Sequence, residues 1–256
     1  MSQLTKLIDR YVLFARVAPV AVASIALFLL ISSWIPFSEW PIKLFGGSGV
    51  LGAFVLAHLA RNAGKAIEGP LWASWGGPPT VRMLRHRDST FKAGSKLLIH
   101  QHLVALGIVN HLPSADEEAK NEDNADEIYH TCSEWLRRKA LELKAKSPFD
   151  IVHSENISYG FQRNSLGIRP WSLVIWSVAL AGTVAAFVFG RQPWIEICAE
   201  LALGAYLFWG ITELAVKHAA DDYSRRLLDA AQAIPISARA ASKKKSNAPA
   251  KRNPVL

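Results

Sequence analysis

Residues 171–190 read WSLVIWSVALAGTVAAFVFG, from Trp171 to Gly190, with no charged side chain among them. A helix that crosses a bilayer needs ~20 predominantly apolar residues, so this run places the chain among integral membrane proteins. Arg191, Gln192 and Pro193 follow as a tight polar turn, and WIEICAELALGAYLFWGITELAV, Trp194 to Val216, begins at once. Two apolar runs joined by so short a turn predict a helical hairpin.

The amino-terminal part predicts a second hairpin. APVAVASIALFLLISSW, Ala18 to Trp34, is uncharged, and LFGGSGVLGAFVLAHLA, Leu44 to Ala60, is glycine-rich and closed by Arg61 and Lys65. The turn PFSEWPIK between them is too short to hold a domain. No small-x-small cleavage pattern follows Trp34, so the first run reads as a retained anchor rather than a signal peptide. Ser48 with Gly52, and Ala53 with Ala57, are small residues at helical spacing that let a second helix approach closely. Trp34, Trp40, Trp171 and Trp194 fall at run ends, where an interfacial aromatic belt belongs; Trp209 lies deeper.

The 256 residues are 50% hydrophobic and 20% charged, with a formal charge of +8. In a membrane protein such an excess sets topology more often than it binds nucleic acid, and no nucleic-acid partner is expected. Lys6, Arg10 and Arg16 precede the first run, and Arg61 and Lys65 follow the second. Arg163 and Arg169 precede the third, and Lys217, Arg225 and Arg226 follow the fourth, whereas the two turns hold only Lys43 and Arg191. The positive-inside rule then puts both termini and the long middle segment on the cytoplasmic side. The sequon Asn156-Ile157-Ser158 would be inert there. Cys132 and Cys198 have no zinc-type spacing and suit a reducing compartment.

The expected fold is all-α: four transmembrane helices in two hairpins with an α-helical cytoplasmic domain between them. The segments are 1–16, a cytoplasmic start; 17–61, the first hairpin; 62–170, the cytoplasmic domain; and 171–216, the second hairpin. A cytoplasmic helix over 217–235 and a disordered basic tail over 236–256 follow. Within the middle domain a helix is expected over 91–109, with Leu97, Leu98, Gln101, Ala105 and Ile108 along one side. Ser114 to Glu117 has the form of a capping box. Ala125, Tyr129, Cys132, Leu136, Ala140 and Leu143 recur at steps of three or four, which predicts an amphipathic helix. In the tail, Lys243, Lys244 and Lys245 either meet anionic headgroups or stay in solvent.

Three features could carry chemistry. The stretch LWASWGGPPTVRMLRHRDSTF, Leu71 to Phe91, puts Trp75, Gly76, Gly77 and Thr80 ahead of Arg82, Arg85, Arg87 and Asp88. One reading makes it an anion site, with Thr80 capping a short helix over 81–86 whose free N–H groups face the ligand. The other makes it a rigid turn at the membrane face, with Arg85 or Arg87 paired to Asp88. ENISYGFQRN, Glu155 to Asn164, offers Tyr159, Gln162, Arg163 and Asn164 either to a ligand or to the junction with the third run. Glu196, Glu200 and Gly204 share one helical face of the fourth run. They line a pore in an oligomer or the bundle interior, or else lie at the interface with Glu200 paired to Arg191. Near the inner ends of their runs, His58 and Glu213 are either partners or merely interfacial.

No catalytic residue, metal site or cofactor is indicated. The chain lacks a Lys-Ser/Thr phosphate loop, a His-Glu-x-x-His pair and a Gly-x-Ser-x-Gly elbow. His86, His100, His102, His111, His130 and His153 cluster in the middle domain without ligand spacing, and His100 and His102 do not share a helix face.

With WGGPPTVRMLRHRD (Trp75–Asp88) and ENISYGFQRN in place, the chain resembles a family of bacterial four-span membrane proteins that has no assigned activity. The resemblance covers roughly Gly69 to Arg169 and the flanking hairpins, and it transfers no catalytic role. By analogy of architecture it implies a membrane sensor or effector of the kind found in bacterial defence. Three function classes follow. The first is an oligomeric inner-membrane sensor/effector that forms a pore or perturbs the membrane. The second is a membrane-tethered enzyme or binding module for a nucleotide, nucleic acid or lipid headgroup, using Arg82, Arg85, Asp88 and Arg163. The third is a scaffold. The expected partners are the lipid bilayer, further copies of the chain, and a cytoplasmic protein or anionic ligand.

Overall fold

The computed structural model describes residues 10–35 and 47–236, with residues 47–54 as helix backbone. The first turn with Lys43 and Trp40, the leading Lys6 and the basic tail lie outside the residues so described, while Ser48, Gly52 and Ala53 are described as helix backbone only and Ala57 is buried. All regular structure among the described residues is helical. We number α1 (Val12–Trp34), α2 (Gly47–Ser74), α3 (Pro79–Leu84), α4 (Ala93–Ala105), α5 (Ala115–Lys120), α6 (Glu122–Glu142), α7 (Phe149–Val188), α8 (Trp194–Ala205) and α9 (Glu213–Ala231). The described residues divide into two compact units, one formed by those up to 74 with 154–220 and the other by 75–153 with 221–236.

In the first unit, α1 and α7 are long and apolar enough to cross a membrane. A third candidate is the pair Trp194–Gly210 and Glu213–Ala231, whose axes bend by 62°. Only 22% of the apolar window of α1 or α7 is buried. Small and polar residues lie inside, Ala26, Ser33, Ala179, Thr183 and Glu200, together with Leu203, Leu207 and Ile211, while Ile25, Phe28, Val174, Val178 and Leu201 face outward. Small residues let helix backbones come together without a hydrophobic drive between them. At the α2–α7 crossing, a Cβ on Gly167 would lie 2.5 Å from the Gly64 backbone nitrogen. Backbone therefore meets backbone there.

Two helix ends follow from local sequence. α7 stops where Gly190 takes φ +82°. The Gly190 N–H donates to Phe187 O and the Arg191 N–H to Ala186 O, each at 3.0 Å, the paired bonds of a Schellman turn. The run Trp194–Val216, expected as one continuous helix, is interrupted. Its turns widen to π-helical over Tyr206–Gly210, Ile211 is extended, and the Thr212 hydroxyl accepts the Ala215 N–H at 3.2 Å to start α9. The physical reason is a stop-and-start signal, Gly-Ile-Thr-Glu: a helix-breaking glycine, then an N-cap threonine followed by an acid. The Arg169 guanidinium donates to the Leu207 and Phe208 carbonyls at 2.9 and 3.1 Å, supplying positive charge to the groups the break leaves open.

The second unit packs α3, α4, α6, the start of α7 and the end of α9 around one core. α6 buries Ala125, Tyr129, Cys132, Leu136 and Ala140 as its periodicity requires. The Ser114 capping box forms with Glu117, a device worth about 1 kcal/mol. The face expected of α4 is wrong. Leu97 and Leu98 are exposed, at 56% and 57%, while Lys96, Ile99, His100 and Leu103 are buried. Lys96 and His100 can be inside because backbone carbonyls receive them. The ammonium of Lys96 donates to the carbonyls of Arg85 and Asp88, and His100 Nε2 donates to Leu84 O at 2.8 Å.

Candidate functional site

The Trp75–Asp88 stretch folds as a turn whose arginines are spent within the second unit. α3 starts at Pro79, two residues earlier than a Thr80 cap would place it, and has no side-chain cap. The Thr80 hydroxyl instead donates to Ser224 Oγ at 2.9 Å. Arg85 is buried, and its Nε donates to Asp126 Oδ1 at 2.7 Å while Nη2 meets Asp126 Oδ2, a bidentate pair. Its Nη1 donates to Gly76 O at 2.6 Å. That closure explains Gly77, which has φ +117° and no room for a Cβ, the guanidinium lying 2.9 Å from where one would stand. Arg82 pairs with Asp221 at 2.7 Å and lies 3.5 Å from Asp88, and Arg87 pairs with Glu122. The expected Arg85–Asp88 and Arg87–Asp88 pairs are therefore replaced by partners far along the chain. Trp75 opens the same turn.

Below this turn lies a polar cluster that the sequence reading did not single out. Glu118 is buried and accepts the His86 N–H at 2.8 Å and the Tyr129 hydroxyl at 2.9 Å. Burial, reinforced by Glu118, pushes the Tyr129 hydroxyl up. Burial also lowers His100 to about 4, lowers Lys96 and raises the Cys132 thiol to about 11. Among the described residues no three His, Cys, Asp or Glu side chains converge as metal ligands.

ENISYGFQRN lies within α7 of the first unit, not in a loop. Tyr159 and Arg163, four residues apart, project from neighbouring turns of one face, and Asn164 stands beside Arg163. The Tyr159 hydroxyl and Arg163 Nη1 both donate to Glu68 Oε1 of α2, at 2.8 and 2.7 Å. Arg163 also donates to Asn164 Oδ1, and Asn164 Nδ2 donates to the Ala15 carbonyl of α1 at 2.7 Å. Glu68 was missed because nothing near it in sequence marks it. The motif thus ties three helices together, and its charge is neutralised internally.

The acidic face of α8 also turns inward. Glu196 accepts the Ser32 hydroxyl at 3.3 Å. Gly204 is where the Trp176 ring fits, a Cβ there falling 2.3 Å from Trp176 Cζ2, and Trp176 Nε1 donates to the Glu200 backbone carbonyl at 2.7 Å. The Glu200 side chain has 0% exposure, and neither carboxyl oxygen meets a hydrogen-bond partner among the described residues. The buried Thr183 hydroxyl is likewise unmatched. Glu200 is thus buried within the first unit, and among the described residues it forms no pair with Arg191. His58 and Glu213 are both exposed. Comparison of the chain with protein-family models, with curated proteins and with solved structures finds no match.

Proposed function

We propose that the chain is a multipass membrane effector of the bacterial inner membrane, working as an oligomer. Four crossings form two hairpins, with both termini and the polar unit on the cytoplasmic side. The function is non-enzymatic: the membrane unit binds or passes a proton or small cation at Glu200. The observation that carries this reading is the Glu200 carboxyl, fully buried and without a hydrogen-bond partner among the described residues, in a unit that turns apolar side chains such as Val174, Val178 and Leu201 outward. Ionisable side chains are costly inside a bilayer and mark ion or proton paths when they occur there. α8 ends at a broken helix, a feature that recurs where membrane proteins bind ions and move. Arg82, Arg85 and Arg163 are held in ion pairs, so they give the enzyme reading no separate support.

The test is proton and potassium flux across vesicles containing the purified chain, beside vesicles containing the Glu200→Gln variant. Flux that needs Glu200 supports the proposal. Vesicles as tight as protein-free controls, in both directions of ion gradient, count against it.

A further inference from the structure

We propose that the second unit holds a binding site for a phosphate-bearing small molecule, between the turn after α3 and the first turn of α4. Of the anion-site residues read from the sequence it shares only Arg87 and Asp88, and it is independent of what the membrane unit does. A pocket of about 570 Å³ opens there, within the size range of small-molecule sites. Its charge balance is positive. The Asp88 carboxylate is already committed to Arg82 and to the Thr90 N–H, and Arg87 is held by Glu122. Lys92 and Lys96 also line the pocket, and among the described residues neither has a carboxylate within ion-pair distance.

Lys96 is the centre of the argument. Its residue exposure is 5%, and its ammonium donates to two neutral carbonyls, Arg85 O and Asp88 O. An ammonium has three protons to donate, so one remains for a ligand. The hydrogen-bond acceptors of Lys96 are neutral and the carboxylates of Asp88 and Glu118 act on it only through space, so an anion in direct contact would offset charge that the protein leaves partly unpaired. The first turn of α4 adds donors. Lys92 supplies no side-chain cap and no acid occupies that turn, which leaves the N–H groups of Ala93, Gly94 and Ser95 aligned with the positive end of the helix. Space above them is open, since a Cβ on Gly94 would meet nothing within 4 Å. Phe91 and Leu97 give the pocket an apolar wall. Leu97 stays 56% exposed, so an organic group attached to the phosphate has a surface to cover.

The experiment uses the full chain in phosphatidylcholine nanodiscs, titrated calorimetrically with inorganic phosphate and with AMP as a phosphomonoester. Saturable binding is expected, with AMP tighter than phosphate by about tenfold or more. Lys92→Glu and Gly94→Glu should each weaken it at least tenfold, while Arg138→Glu, an exposed charge reversal on α6, should bind like the wild type. Lys92 lines the pocket and Gly94 follows it in the first turn of α4; both positions are exposed, so folding of the variants can be verified by an unchanged unfolding temperature. A parallel titration in nanodiscs containing phosphatidic acid identifies the source of the phosphate. AMP affinity lowered there, in the wild type but not in Lys92→Glu, assigns the site to a lipid headgroup; unchanged affinity assigns it to a soluble ligand. No saturable binding of either probe, or binding indifferent to Lys92→Glu and Gly94→Glu, overturns the proposal.

Discussion

The Arg163 guanidinium and the Glu68 carboxylate, 95 residues apart in sequence, meet at 2.7 Å in the interior of the first unit. Removing one partner of a buried pair strands the other charge, at a cost of roughly 3–5 kcal/mol. Arg163→Ala and Glu68→Ala should each lower the unfolding temperature in detergent markedly. The double variant should lose less than the sum, because the second change strands nothing new. Additive losses would show that the pair is not coupled.

Gly167 tests the backbone contact between α2 and α7. Gly167→Ala places a methyl group against the Gly64 backbone, 2.5 Å away, where no side chain can yield, and is expected to destabilise the unit. Gly69→Ala, with nothing within 4 Å of its new Cβ, should be neutral or stabilising by up to about 1 kcal/mol, the difference in helix propensity. Equal effects of the two substitutions on thermal unfolding would contradict the crossing.

His100 predicts an acid-side loss of stability. Burial holds its folded pKa at about 4 against an ordinary 6.5, so above pH 6.5 the ring is neutral in both states and its contribution is fully present. As pH falls from 6.5 through 4, the unfolded chain binds a proton that the folded chain refuses. The total loss is about 3 kcal/mol. Lys96 and His86, which disfavour a charged ring, face it, and Glu118 opposes them. His100→Gln keeps a donor for the Leu84 carbonyl and should flatten the denaturation profile of the second unit over that window. A wild-type profile in the variant would assign the acid sensitivity elsewhere.

The helical class was legible because long apolar runs and the spacing Ala125, Tyr129, Cys132, Leu136, Ala140 leave few alternatives. Ser114 was legible because a capping box is local. Partners distant in the chain were not. Arg85 finds Asp126 and Arg82 finds Asp221, choices that neighbouring residues do not encode, so Asp88 was overvalued. The exposed side of α4 was misread because apolar Leu97 and Leu98 outweighed Lys96 and His100, whose burial depends on carbonyls supplied by the turn after α3. The break at Ile211 was readable from Gly210 and Thr212, but a strong hydropathy signal concealed it.

Arg169 should govern that break. It donates to the carbonyls of Leu207 and Phe208. In Arg169→Ala those groups lose their charged donor, so amide hydrogen exchange over Tyr206–Ala215 should quicken, with exchange in α6 unchanged. Arg169→Lys, which lacks the two-pronged fork, should fall between. Identical exchange in all three proteins would mean that the guanidinium holds nothing in place.

The central claim rests on Glu200, whose side chain is fully buried and without a hydrogen-bond partner among the described residues. Its most direct test is ion flux through vesicles containing the wild type, Glu200→Gln or Glu196→Gln at matched protein density. Flux well above protein-free vesicles, reduced at least tenfold by Glu200→Gln in a variant that still folds, is the predicted result. Flux that survives Glu200→Gln unchanged, or vesicles that stay tight with the wild type, contradicts the account.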